Sequence, residues 1–188
     1  MTNMDNDCAL RETTIETKQI FSGKILTLTV DTVRLPDGRT ATREIIHHNG
    51  AVGMVALTDD GNILLVRQWR HAPGLALLEI PAGAISRGED PCDCACRELA
   101  EEIGFVPRRL DKLTTMYSAP GYVGEAIHLY VARDLEAELA DGDDDENLQV
   151  VAMPFEDALQ ACRDGSICDG KTIAALMLAR DFLASESA

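Results

Sequence analysis

Positive charge is scarce in this sequence. Lysine and arginine number 17 against 32 aspartates and glutamates, a formal net charge of -15 over 188 residues. A surface of that sign repels phosphate backbones, so nucleic acid is not an expected partner. Small phosphorylated ligands stay open, because a divalent cation bridges phosphate to acidic side chains. Long apolar runs are lacking too. No stretch reaches the roughly 18 residues needed to cross a bilayer. The polar, acidic start Met1–Asp7 has neither the basic region nor the apolar core of a signal peptide. The expected location is the cytoplasm, with no membrane partner. Repeats and long linkers are also missing, and 46% hydrophobic content over this length suits one compact domain with a small appended lobe. Such a chain needs no disulfide staples. The cysteines Cys92, Cys94 and Cys96 alternate, which is not zinc-ligand spacing, and His47 and His48 are far away in sequence. Together with Cys8, Cys162 and Cys168 they read as reduced thiols.

What is present is a mixed pattern of strands and helices. After a loose tail over 1–13, Ile20–Leu35 is rich in strand formers, Pro36-Asp37-Gly38 turns, and Thr40–His47 returns. Ala51–Leu57 and Ile63–Trp69 form a hairpin across Asp59-Asp60-Gly61-Asn62. Leu75–Ile80 is a further strand, ending at Pro81-Ala82-Gly83. The spacing predicts a helix over 90–103, capped by Asp90, with Pro91 in its first position and Gly104 closing it. Strands at 110–118, 126–133 and 148–153 follow, with an acidic loop over 141–146 between the last two. Helices are expected over 154–163 and 173–183, the second opened by Asp169-Gly170-Lys171-Thr172. This order predicts an α/β (or α+β) domain with a mixed sheet.

The chemistry concentrates on the helix over 90–103. Glu98, Glu101 and Glu102 stand at i, i+3 and i+4, so three carboxylates share one face. Like charges at that spacing destabilise a helix by a few tenths of a kcal/mol, and a hard divalent cation reverses the sign. A plain solvated acidic face is the alternative. Two features favour the site: Ala95 and Leu99 anchor the helix through an apolar face, and Gly83, Gly88 and Gly104 bracket it with positions that allow tight turns and close backbone approach.

From Gly83 five residues lead to Glu89, seven more to Arg97-Glu98-Leu99, and one to Glu101-Glu102, followed by Ile103, Gly104 and Phe105. This segment resembles the complete signature of the Nudix hydrolase family. Leu78-Glu79-Ile80-Pro81-Ala82-Gly83, Arg43-Glu44 before Gly50, Ser118-Ala119-Pro120-Gly121 with Glu125, and Asp169-Gly170-Lys171-Thr172 resemble its ADP-ribose pyrophosphatase branch, so the likeness spans about 20–183.

The resemblance implies an α/β/α sandwich with a mixed sheet in 49–188, and a small N-terminal β lobe in 1–48 that dimerises the protein. It implies magnesium or manganese, more than one ion, bound by Glu98 and Glu102 with the Ala82 carbonyl, Glu101 and, as ligand or as brace, Glu89. It implies hydrolysis of ADP-ribose, or a related nucleotide diphosphate derivative such as GDP-mannose or a dinucleotide. A non-catalytic ADP-ribose sensor is the alternative outside enzymes. Arg70, Arg43, Glu79, Pro120 and Gly121 are the candidate substrate contacts. Arg97 is read as a salt-bridging residue more than a phosphate contact, and Trp69 as packing. Glu146 is the candidate general base, with Asp145 or Asp144 as substitutes.

Overall fold

The computed structural model describes residues 9–138 and 147–186. The chain divides into two compact units, Met1–His48 with Ala119–Glu125, and Asn49–Ser118 with Ala126–Ala188.

The first unit holds a three-stranded antiparallel sheet of β1 (Thr13–Ser22), β2 (Thr27–Arg34) and β3 (Thr40–His47), in that order. β1 starts earlier than the sequence pattern predicts. Register shifts between Thr14 and Glu16, and between Gln19 and Phe21, break its alternation, so the period-two signature is lost. Every residue of β1 is exposed, Ile15, Ile20 and Phe21 among them. Residues 119–125 join this unit through backbone bonds from Ile46 to the Tyr122 carbonyl and from Gly124 to the Ile46 carbonyl.

The second unit is built on a seven-stranded mixed sheet. Its strands are β4 (Ala51–Leu57), β5 (Asn62–Arg70), β6 (Leu75–Glu79), β7 (Ala82–Ala84), β8 (Phe105–Tyr117), β9 (Ala126–Ala137) and β10 (Gln149–Pro154). The order is β10-β5-β4-β9-β8, with β6 on β5 and β7 on β4; β4 and β9 are parallel and the other pairs antiparallel. Helix α1 (Pro91–Ile103) lies on one face, and α2 (Phe155–Asp164) and α3 (Gly170–Glu186) on the other. Alternation along the central strands makes the sandwich. Val52, Met54, Ala56, Leu64 and Val66 pack with Ala95, Leu99 and Ile103 of α1. Val55, Ile63 and Leu65 pack with Ala158 and Leu159 of α2 and Ala175, Leu176 and Ala179 of α3. The expected α/β/α sandwich is therefore the fold.

Two strands run longer than expected. β8 begins at Phe105 because Pro107, which reads as a strand breaker, sits on the edge of the sheet, where a missing N–H is tolerated. β9 continues past Arg133 and Asp134, the latter at a left-handed φ of 54°. β7 has no sequence signal at all. It exists because β4 and β5 pair only at Ala56–Leu64 and Leu57–Ile63, and Ala82–Ala84 fills the fork by pairing with Ala51–Gly53. That fork places Ala82 and Gly83 beneath α1.

Candidate active site

The local sequence of α1 sets where its carboxylates stand. Asp90 accepts from Cys92 N–H at 2.8 Å, Pro91 fills the first turn, and Gly104 closes the helix at φ 74° with its N–H on the Ala100 carbonyl. Burial of Cys94, Ala95, Leu99 and Ile103 fixes the rotation of the helix. The remaining face turns Glu98 and Glu102 toward β7. Glu102, 7% exposed, accepts from Ala82 N–H at 3.0 Å. Glu98 lies so close to Gly83 that a Cβ there would sit 1.8 Å from its carboxyl carbon.

Arg97 organises the rest. Its guanidinium donates to both oxygens of Glu89 at 2.8 and 3.1 Å, to Glu98 at 2.7 Å and to Glu101 at 2.8 Å. Glu89 also accepts from Ser86 N–H at 2.8 Å. The Arg97 hydrogen bond, with the Ser86 N–H helping it against partial burial, holds the Glu89 carboxyl down to about 2. Glu89 is thus a fixed anion that braces the loop before α1. Cys94 makes the opposite case: burial pushes its thiol up to about 12. The cysteines of the described residues are free thiols.

A second cluster stands at the end of β5 and β6. Arg70 donates to Glu79 through Nε at 2.8 Å and Nη2 at 2.9 Å. The Glu79 side chain is 1% exposed and is also paired with Lys171. Lys171 in turn donates to Asp169 at 3.0 Å. Burial pushes the Glu79 carboxyl up, but the hydrogen bonds and charges of Arg70 and Lys171 outweigh it, leaving it below its ordinary value. Arg70 is raised by its bond to Glu79, against burial, and the charges of Asp169 and Glu102 act on it too. The two clusters therefore share one electrostatic field in the second unit.

Ala82, Glu89, Glu98, Glu101 and Glu102 are brought together, and Arg70 and Glu79 stand in the linked cluster. Glu79 is positioned to hold Arg70 rather than to meet a ligand from solvent. Arg43 belongs to the first unit, where it pairs with Glu12. Pro120 and Gly121 are exposed and belong to that unit as well. Glu146, with Asp144 and Asp145, lies outside the described residues. Lys171, Asp169 and Thr172 take places in the cluster that sequence reasoning did not assign. In the sequence they are marked as a run that opens an apolar helix and resembles the ADP-ribose pyrophosphatase branch, with no role attached to any of the three.

The donor set suits a hard divalent cation: three carboxylates and a backbone carbonyl, all oxygen. The carboxylate seated against Gly83, in space a side chain would fill, fits a ligand role for Glu98. Among the described residues no three such side chains already converge to hold an ion. Instead Arg97 holds Glu98 and Glu101, and the Ala82 N–H holds Glu102.

Gly83 gives a prediction that separates stability from chemistry. Its φ is not left-handed, so alanine fits the backbone and, by restricting the unfolded chain, leaves stability nearly unchanged. The added methyl evicts Glu98. Gly83→Ala is expected to melt within a few degrees of wild type and to lose about 100-fold in metal affinity and activity, the upper range for disturbing a ligand's support. Melting together with Mn2+ titration checks it; unchanged metal binding counts against Glu98 as a ligand.

A NUDIX domain model matches residues 47–176, and a nucleoside diphosphate sugar hydrolase N-terminal domain model matches 12–46. An ADP-ribose pyrophosphatase from Bacillus subtilis (strain 168) is 41% identical over 170 residues, 89% of this chain and 92% of that protein. A methanol dehydrogenase activator from Bacillus methanolicus is 42% identical over 167 residues, 88% of this chain and 90% of that protein. Among solved structures, one described as the crystal structure of ADP compounds hydrolase superposes with a TM-score of 0.84 at 26% identity, covering 94% of this chain and 96% of that one. The glutamate face of α1, its Gly83 seat and the domain match over 47–176 together make this chain a member of the NUDIX hydrolase family.

Proposed function

We propose that the protein hydrolyses the diphosphate linkage of ADP-ribose or a related nucleoside diphosphate sugar, releasing AMP, or the corresponding nucleoside monophosphate, and a sugar phosphate. The observation that carries this reading is the carboxylate face of α1, set against Ala82 and Gly83 and linked in charge to the Arg70–Glu79 pair. The names of the relatives support the substrate class.

Glu98, Glu101 and Glu102, with the Ala82 carbonyl, hold the divalent ions, magnesium or manganese and more than one. When bound, these ions supply Lewis acidity that neutralises the diphosphate and acidifies the attacking water. Glu89 and Arg97 brace the carboxylate face. Arg70, 40% exposed at its side chain while anchored on buried Glu79, presents its free edge to phosphate oxygen. Glu146, or Asp145 or Asp144 in its place, takes the proton of the attacking water. Arg43, Pro120 and Gly121 are further candidate substrate contacts.

We also propose a cytoplasmic homodimer, with a first domain over 1–48 supplying the contact and the catalytic domain over 49–188. The exposed Ile15, Ile20 and Phe21 of β1 support it, and light scattering on the purified protein tests it. No helix of the described residues is long and apolar enough to cross a membrane.

The deciding experiment is turnover with magnesium of ADP-ribose, several nucleotide sugars including GDP-mannose, and a nucleoside triphosphate, with products identified by mass. AMP and ribose 5-phosphate from ADP-ribose are expected. Faster cleavage of another diphosphate sugar moves the specificity alone. Tight ADP-ribose binding with no turnover of any compound overturns the enzymatic reading in favour of a sensor.

A further inference from the structure

Thr172 is a fully buried polar residue, 0% exposed, on α3 and far in sequence from the residues that define the site. Its hydroxyl accepts from Ile80 N–H at 3.0 Å and donates to Asp169 at 2.6 Å. The same Asp169 oxygen caps α3 through Thr172 N–H at 2.9 Å and accepts from Lys171 at 3.0 Å. The hydrogen-bonding capacity of that turn is therefore spent on one segment, Glu79-Ile80, which runs directly into Pro81-Ala82-Gly83.

That segment is fixed on either side of Ile80, where Glu79 pairs with Val66 and Ala82 and Gly83 pair with Gly53 and Val52. Pro81 has no N–H to give; its carbonyl accepts from Met54 N–H at 2.9 Å. Ala82 N–H goes to Glu102. Ile80, 0% exposed, has Thr172 as the acceptor for its N–H. β7 is only three residues long and pairs with Ala51–Gly53 of β4, so a shift of the Ile80 backbone enters it directly. Loss of the Thr172 hydroxyl leaves a buried N–H without an acceptor, and the backbone answers by shifting toward another partner. Ala82 is two residues away.

We propose that Thr172, oriented by Asp169, is a positioning residue for the metal site: it sets the backbone of Ile80–Ala82, and with it the Ala82 carbonyl and the seat of Glu98 on Gly83. This rests on the proposed metal-dependent reading of the α1 face. It gives the start of α3 a task in the site beyond anchoring a helix.

The test is Mn2+ binding to the full chain by titration calorimetry, for wild type, Thr172→Val, Thr172→Ser and Asp169→Asn, each checked for fold by circular dichroism. Valine keeps the volume and removes the hydroxyl, and is expected to weaken Mn2+ binding about tenfold. Serine restores the hydroxyl and is expected to bind within twofold of wild type. Asp169→Asn keeps an acceptor for the cap but loosens the hydroxyl, and is expected to weaken binding about threefold, so the inference is still judged if the valine variant does not fold. A wild-type constant in Asp169→Asn and in any folded Thr172→Val overturns it, even where melting temperatures fall. Failure of the serine rescue overturns it as well. A wild-type protein that binds Mn2+ but cleaves no diphosphate sugar removes the substrate proposal and leaves this one to be decided by binding.

Discussion

Glu102→Gln is expected to lower turnover of the best diphosphate substrate about 1000-fold while leaving the protein folded. Glutamine has the shape of glutamate, and its amide oxygen still accepts from Ala82 N–H, so the tie between α1 and β7 survives. What is lost is one formal charge at a position 7% exposed, beside Glu98 and Glu101. Removing a like charge from the i, i+3, i+4 face slightly favours the helix itself. The substitution therefore separates the two tasks of the face. The several kcal/mol that a bound cation contributes to a phosphoryl transition state correspond to about three powers of ten in rate. The measurement is kcat with ADP-ribose across a magnesium series, alongside a melt. Turnover within tenfold of wild type at saturating magnesium would move the metal site away from Glu102.

The α1 face is legible in the amino-acid sequence because everything that builds it is local. The cap Asp90, Pro91, the closing Gly104 and the spacing of Glu98, Glu101 and Glu102 all lie within 15 residues of one another, and helical geometry converts spacing into a shared face. The three-layer fold is legible for a related reason: β4 and the start of β5 are continuous apolar runs, the mark of strands covered on both faces, and each face meets its own helices. What stays hidden depends on distant partners. β7 has three residues and no pattern of its own; it is a strand because β4 and β5 diverge. The bond from Ile80 to Thr172 joins positions 92 apart. Glu79 is legible as part of an approach strand, but not as the buried anion shared by Arg70 and Lys171. Nothing in Leu78-Glu79-Ile80 says which cations will meet it. β1 is hidden by its bulges, which destroy the alternation that marks a strand.

That shared anion carries a large stability effect for a single polar side chain. In Glu79→Gln, Arg70 and Lys171 lose a carboxylate that is 1% exposed, while Lys171 keeps Asp169. Breaking a buried pair by removing one partner typically costs about 3–5 kcal/mol, because the remaining charge is left uncompensated. Arg70 is 40% exposed and recovers some hydration, so the low end, about 3 kcal/mol, applies. For a chain of this size that is a fall of about 6–12 °C in Tm. The effect also has a pH signature. The Glu79 carboxyl is held below its ordinary value of 4.5 by Arg70 and Lys171, against burial. A group whose pKa is depressed on folding contributes its stability above the unfolded value and loses it as pH falls through the folded one. The gap between wild type and Glu79→Gln should therefore be full at pH 7, begin to close below about 4.5, and vanish once Glu79 is protonated in the folded protein. Denaturant melts of both proteins from pH 7 to pH 3 read it directly. A gap that stays constant over that range would assign the loss to packing rather than to charge, and Arg70 would then need another anchor to be presented to a diphosphate.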